Sequence, residues 1–158
     1  MSAVSDAAPG AEALRAEIRL LALLLAIFAA IKIAACSLAY ASAVVAAGGV
    51  DVMGGHTYYW LPQVLYYTLF LAVARRLRRF EARSRTTMLA LSILSIVATV
   101  LYTVADFTIG HGRQDPAMAI AIKLRLLLSG GDVWDLVFPL LAIFRLWKPE
   151  VRSVFENE

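Results

Sequence analysis

Apolar positions in this chain gather into four long runs that are continuous rather than periodic, with short polar stretches between them. From Leu20 to Ala47 only Lys32, Cys36, Ser37 and Ser42 interrupt, and Gly48-Gly49 ends the run. A second run opens at Tyr58-Tyr59-Trp60 and stops at Arg75-Arg76. A third extends from about Thr87 to Phe107, and a fourth from about Gly131 to Trp147, where Lys148-Pro149 ends it. A helix rises 1.5 Å per residue, so about 20 residues cross a hydrocarbon layer of about 30 Å. The pattern predicts an all-α polytopic membrane protein: a single membrane domain over residues 1–158 with four transmembrane helices at about 20–47, 58–75, 87–107 and 131–147. Residues 1–19 read as a polar lead that becomes helical around Glu12, Arg15, Glu17 and Arg19. Between the spans lie outer loops at 48–57 and 108–130 and a cytoplasmic basic loop at 75–86. The stretch Ala117 to Leu128 is apolar but too short to span and broken by Lys123 and Arg125. It is expected to form a short interfacial or re-entrant helix in the second outer loop.

Composition removes the soluble alternative. Of 158 residues, 61% are hydrophobic and only 17% charged, where a soluble domain carries about 25% charged residues. A small soluble fold still exposes much of its surface, so it has nowhere to hide this much apolar area. Lipid does. The net charge of +3 is small and its basic residues are clustered, which does not fit a nucleic-acid partner. The clustering instead sets orientation. Arg15 and Arg19, then Arg75, Arg76, Arg78, Arg79, Arg83 and Arg85, then Arg145, Lys148 and Arg152 place eleven basic residues on one side, against Arg113, Lys123 and Arg125 on the other. Loops rich in Lys and Arg stay in the cytoplasm, so both ends are expected inside.

The first span also carries two look-alikes of processing signals, Ala41-Ser42-Ala43 and the lipoprotein-like Ile33-Ala34-Ala35-Cys36-Ser37. Both signals need an uninterrupted apolar region, and Lys32 breaks this one. The span is expected to be retained, with Cys36 packed as a small hydrophobe. As the sole cysteine, Cys36 excludes an intrachain disulfide framework.

Lys32 is the group that most needs explaining. A charge near the middle of a span costs about 2.5–3.5 kcal/mol on insertion scales, so it should turn inward toward a partner or snorkel. At 1.5 Å per residue, Lys32 and Asp135 differ in depth by about 6 Å, within reach of a lysine stem. Asp135 is therefore the expected partner, Asp106 the second, and Asp132 shares the Asp135 face nearer to water. On the third span Ser92, Ser95, Thr99, Tyr102, Thr103 and Asp106 share one helical face. Such a stripe lets membrane helices pack closely, or it lines a polar path. Gln63, Tyr66 and Tyr67 make a weaker stripe on the second span, with Pro62 placed in that helix's first turn and Pro139 expected to kink the fourth. His56 and His111 fall in the outer loops at spacings that match no metal motif, so neither metal nor haem is expected. There is no HExxH, no GxSxG and no phosphate-cradling glycine loop, so no catalytic residue is assigned and no cofactor is expected.

Trp147-Lys148-Pro149-Glu150-Val151-Arg152-Ser153-Val154-Phe155 resembles the tails of small four-helix bacterial inner-membrane proteins, which often end in a basic–Val–basic–x–x–Phe string after the last span. The resemblance covers about nine residues and the general layout. It implies a bacterial inner membrane and transfers no site residue. Two functions follow as expectations. One is a non-enzymatic accessory or interaction subunit whose basic loop (Arg75, Arg76, Arg78, Arg79, Arg83, Arg85) meets anionic lipid, alone, as a homo-oligomer, or with a membrane-protein partner. The other is an oligomeric transporter or proton-coupled element using Lys32 with Asp135 and Asp106.

Overall fold

A computed structural model of the chain describes residues 9–46, 55–81, 83–110 and 132–156, with side chains for 10, 12–46, 60–81, 83–101 and 133–155. Every regular element among the described residues is a helix: α1 Pro9–Ala46, α2 Gly55–Arg78, α3 Ser84–Gly110, α4 Asp132–Leu146 and α5 Pro149–Glu156. The protein is all-α, as the apolar runs predict. Two helical stretches, Glu12–Ala46 and Ser84–Leu101, are long and apolar enough to cross a membrane. The other two expected spans differ for physical reasons. In α2 the apolar run is diluted by Gln63, several tyrosines and the terminal arginines. In α4 there are 15 residues, about 22 Å of helix.

Helix ends depart from the expected spans in an instructive way. Hydrophobicity marks where lipid would lie, whereas the helices run on through charged turns on either side. α1 starts at Pro9, a residue suited to the first helical position because its missing N–H has no partner there in any case. Glu12 in that first turn complements the helix dipole. α2 starts at Gly55, so Pro62 lies inside the helix instead of in its first turn, and the carbonyl four residues back loses its N–H donor. His56 then belongs to the first turn of α2 and not to a loop. The basic loop is also shorter than expected: Arg75, Arg76 and Arg78 are helical in α2 and Arg85 in α3, leaving only 79–83 between them. His111 and the expected interfacial helix at 117–128 lie outside the described residues.

The chain divides into two compact units, Met1–Met88 with Glu150–Glu158, and Leu89–Pro149. The first is an antiparallel α1–α2 hairpin. On α1, Ile18, Leu21, Ala22, Leu25, Phe28 and Ala29 are buried, and on α2 so are Tyr67, Phe70, Val73, Ala74 and Leu77. Each row steps by three or four residues, the spacing of one helical face. Phe28 meets Tyr67 and Phe70 edge-on, with ring centroids 6.0 and 6.3 Å apart. That arrangement favours the ring quadrupoles.

The α2–α3 turn closes with a Schellman motif. The Phe80 N–H donates to the Leu77 carbonyl (3.1 Å) and the Glu81 N–H to the Arg76 carbonyl (3.2 Å). The left-handed position in this motif is usually glycine, yet here it is Phe80, with φ 58°. Forcing a side chain into that region costs about 1–2 kcal/mol. The ring gains it back by burial, since Phe80 is only 4% exposed, and fully burying a Phe is worth about 1.5–3 kcal/mol. Arg83 is also left-handed, at φ 70°. Its carbonyl then accepts from the N–H and the hydroxyl of Thr87, both at 2.9 Å, which seats the start of α3. Ser84 adds a hydroxyl bond to the Glu81 carbonyl at 2.6 Å.

α5 completes this unit from far along the sequence. Val151, Val154 and Phe155 are buried while Arg152 and Ser153 are exposed. Phe155 packs on Phe80 with ring centroids 5.6 Å apart. In the second unit, Leu89, Leu91, Ser92 and Ser95 of α3 are buried, as are Pro139, Ala142 and Leu146 of α4. Trp134, Val137, Leu140 and Phe144 of α4 are exposed. Pro139 lies inside α4 and deprives the Asp135 carbonyl of its helical donor.

Candidate functional site

The polar groups of the first unit gather along one seam of the α1–α2 hairpin. Lys32, Cys36 and Tyr40 recur every four residues on α1, and so share a face. Because the helices are antiparallel, each step along α1 meets a residue one step back along α2. The Lys32 Nζ stands 5.9 Å from the Tyr67 ring centroid, a cation–π distance. The Cys36 thiol donates to Gln63 Oε1 at 3.3 Å. Tyr40 stacks on Trp60 at 4.6 Å with the planes 22° apart. Lys32, Cys36, Tyr40 and Trp60 are all half-buried. The Trp60 Nε1 is buried without a hydrogen-bond partner among the described residues.

This seam joins residues that the sequence offered separately. The Gln63/Tyr67 stripe was legible, and so was Lys32, but nothing in the sequence paired them. The missing signal was the hairpin register, which follows once α1 and α2 are set antiparallel and their i, i+4 rows are aligned. Of the carboxylates expected near Lys32, Asp135 is half-buried in α4 of the second unit. The side chains of Asp106 and Asp132 lie outside those described, as do those of Tyr102 and Thr103.

The rest of the α3 stripe is in place. Ser92 and Ser95 are buried and Thr99 is half-buried. The Ser92 Oγ has no hydrogen-bond partner among the described residues. Other hydroxyls bond their own helix, as Thr68 does to the Val64 carbonyl (2.7 Å) and Ser42 to the Ala39 carbonyl (2.8 Å). That habit satisfies a hydroxyl without water.

At the opposite end of the hairpin sits a second cluster that sequence reasoning missed. Phe80 lies under two guanidinium groups of α1, with the Arg19 Cζ 5.4 Å and the Arg15 Cζ 5.9 Å from its ring centroid. Around it Arg75, Arg76, Arg78, Arg79 and Arg83 are exposed and Arg85 is half-buried. Arg76 Nε lies 3.6 Å from Glu81 Oε2, an exposed pair of the kind that adds little stability. Phe80 was hidden inside a string that reads as charge alone. Among the described residues no group of three or more His, Cys, Asp or Glu side chains is placed to hold a metal ion. No protein-family model matches the chain, and neither a curated protein nor a solved structure matches it.

Proposed function

We propose that the chain is a four-span protein of the bacterial inner membrane, with both ends in the cytoplasm, serving as a non-enzymatic accessory or interaction subunit. The observation that carries the membrane reading is where the apolar surface points. Only 28% of the most apolar stretch of α1 and 33% of that of α3 is buried within the protein. Leu38 and Val45 on α1, Leu101 on α3 and Phe144 on α4 are all more than 60% exposed. A soluble protein keeps such patches small. In lipid the same surface carries no hydration penalty.

The sidedness is supported by the Phe80 cluster. The first part of α1, the α2–α3 turn and α5 come together at one end of the first unit. The chain between Met88 and Glu150 therefore departs from that end and returns to it, as an even number of crossings requires. The arginines concentrated there fit the cytoplasmic face, where each basic residue near anionic lipid contributes about 1 kcal/mol. Reporter fusions test the reading. Fusions after Arg79 and after Glu158 should report cytoplasm and one at Gly112 the outer side. A cytoplasmic signal at Gly112 would falsify the four-span arrangement.

One observation favours a second reading, an oligomeric transporter or proton-coupled element. It is the half-buried Lys32 midway along α1, set beside Tyr67 and one turn from the Cys36–Gln63 bond. Intramembrane cations mark ion and proton paths more often than they serve packing. Purified protein in sealed vesicles should then carry a proton flux that Lys32→Met abolishes, and equal leakage in both proteins would remove this reading.

A further inference from the structure

We infer that the first part of α1 selects and holds one anionic phospholipid: Arg15 and Arg19 take its phosphate, and Leu23, Ile27 and Ile31 carry its acyl chain. The inference rests on the membrane reading and names the lipid chemistry that this helix recognises. The five residues recur every four positions, so they form one continuous ridge along α1. All are exposed, the apolar three by 41%, 48% and 62%. The ridge therefore changes from cationic to apolar in a single step, between Arg19 and Leu23. A phospholipid changes from phosphate to hydrocarbon in the same way. The lengths agree as well. From Arg19 to Ile31 the helix rises about 18 Å, and the hydrocarbon of one leaflet is about 15 Å deep.

The fold holds these two arginines in place. Both guanidinium groups lie over the Phe80 ring, with the Cζ atoms of Arg19 and Arg15 at 5.4 and 5.9 Å from its centroid. The ring itself is fixed, being 4% exposed and packed on Phe155. An arginine stacked on an aromatic face still presents the N–H edge that binds phosphate, with less side-chain freedom to lose. Two like charges beside one ring also repel, and an anion between them relieves that repulsion. Local carboxylates are few. Residues 12–19 and 75–85 carry eight arginines against Glu12, Glu17 and Glu81, and Glu81 lies beside Arg76. A free phosphate would answer the charge but leave the apolar ridge bare, whereas a lipid covers both.

The test uses the full chain in phosphatidylcholine vesicles, with Trp60→Phe, Trp134→Phe and Trp147→Phe, and with Leu23→Trp as the single fluorophore at the charge boundary of the ridge. Brominated phosphatidylglycerol and brominated phosphatidylcholine are supplied in turn at equal mole fraction. Quenching should report a preference of roughly tenfold for the anionic lipid, the scale of two basic residues at an anionic surface. Arg15→Gln with Arg19→Gln should abolish the preference and leave quenching by the neutral lipid unchanged, which shows the ridge still in lipid. Arg78→Gln with Arg79→Gln removes the same charge from the turn and should leave the preference standing. Inorganic phosphate at matched ionic strength should leave it standing too, and its loss there would give the arginines to a soluble anion and overturn the inference. Equal quenching by the two lipids, or equal loss of preference in both arginine variants, overturns the site while keeping the helix in lipid. Quenching by neither lipid would overturn the membrane reading, and the site with it.

Discussion

The two ends of the α1–α2 hairpin are made from the same two helices and differ in almost everything else. From Ile18 to Ala29 on α1 and from Tyr67 to Leu77 on α2 there is a regular buried row of aliphatic and aromatic side chains. Among the described residues beyond Ala29 on α1 and before Tyr67 on α2 no side chain is fully buried, and the contacts become those of Lys32, Cys36, Gln63, Tyr40 and Trp60. The packed end is also the arginine-bearing end, closed by Phe80 and α5. Rigidity is thus spent where the chain holds itself together. The polar end is left half-open, and regions of few buried contacts are those that open and bind most readily.

The largest expected effect probes the packed end. Phe80→Ala should destabilise the protein in a denaturant titration by about 3–5 kcal/mol, the usual loss for a buried Phe. Phe80→Gly removes the same ring but suits the left-handed backbone, so it should be about 1 kcal/mol more stable than Phe80→Ala. If the glycine variant is the weaker of the two, the turn stores no strain and the packed end is held by something else.

Next comes the polar end. Lys32→Met should cost about 1–3 kcal/mol, spanning the loss of a desolvated cation–π contact and the lower range for a broken buried pair. Adding Asp135→Asn tests the pairing expected from depth alone. A paired Asp135 is left as an uncompensated charge by the first change, so the second should return part of the loss. Strict additivity of the two changes would leave Tyr67 as the main neighbour of Lys32.

The smallest effect is at Cys36. Cys36→Ser keeps a donor for Gln63 Oε1 and should be nearly silent, whereas Cys36→Ala should cost about 0.5–1 kcal/mol, the net worth of a modest hydrogen bond. A membrane-permeant maleimide should label Cys36 faster than a charged one, since the thiol is half-buried within the long apolar stretch Glu12–Ala46. Equal rates would mean that the polar end is open to water.

What the sequence revealed and what it concealed divide along the same line. Each of the four apolar runs falls on a helix among the described residues, α1 to α4, and two of these are long and apolar enough to cross a membrane, because length and hydrophobicity are local properties. Their ends were misjudged where helix formers with charged side chains continue the coil, as at Arg75, Arg76 and Arg78 of α2. Phe80 was illegible for a sharper reason: a left-handed helix end advertises itself by glycine or asparagine, and an aromatic there is only intelligible once its distant partner Phe155 is known. The Val151, Val154, Phe155 spacing was readable in principle, but an eight-residue amphipathic pattern is too short to stand out from chance. Depth along the spans points from Lys32 only to carboxylates, and it is blind to the facing row on α2, which supplies Tyr67 as a further neighbour. The α3 stripe from Ser92 to Thr99 was legible because a helical period lies within one element.

The contact between Phe80 and Phe155 also has a history in time. When Phe80 is joined to the growing chain, about 75 residues must still be added before its partner exists, which at about 5–20 residues per second takes about 4–15 s. The α1–α2 hairpin, whose contacts are nearer in sequence, has that interval to insert and pair. Throughout it the arginine turn stands with its aromatic side chain uncovered by α5. A newly made chain in this state carries a sign of being unfinished, an aromatic side chain that the finished protein covers. Docking of α5 then removes that sign, and marks the moment at which the first unit is complete.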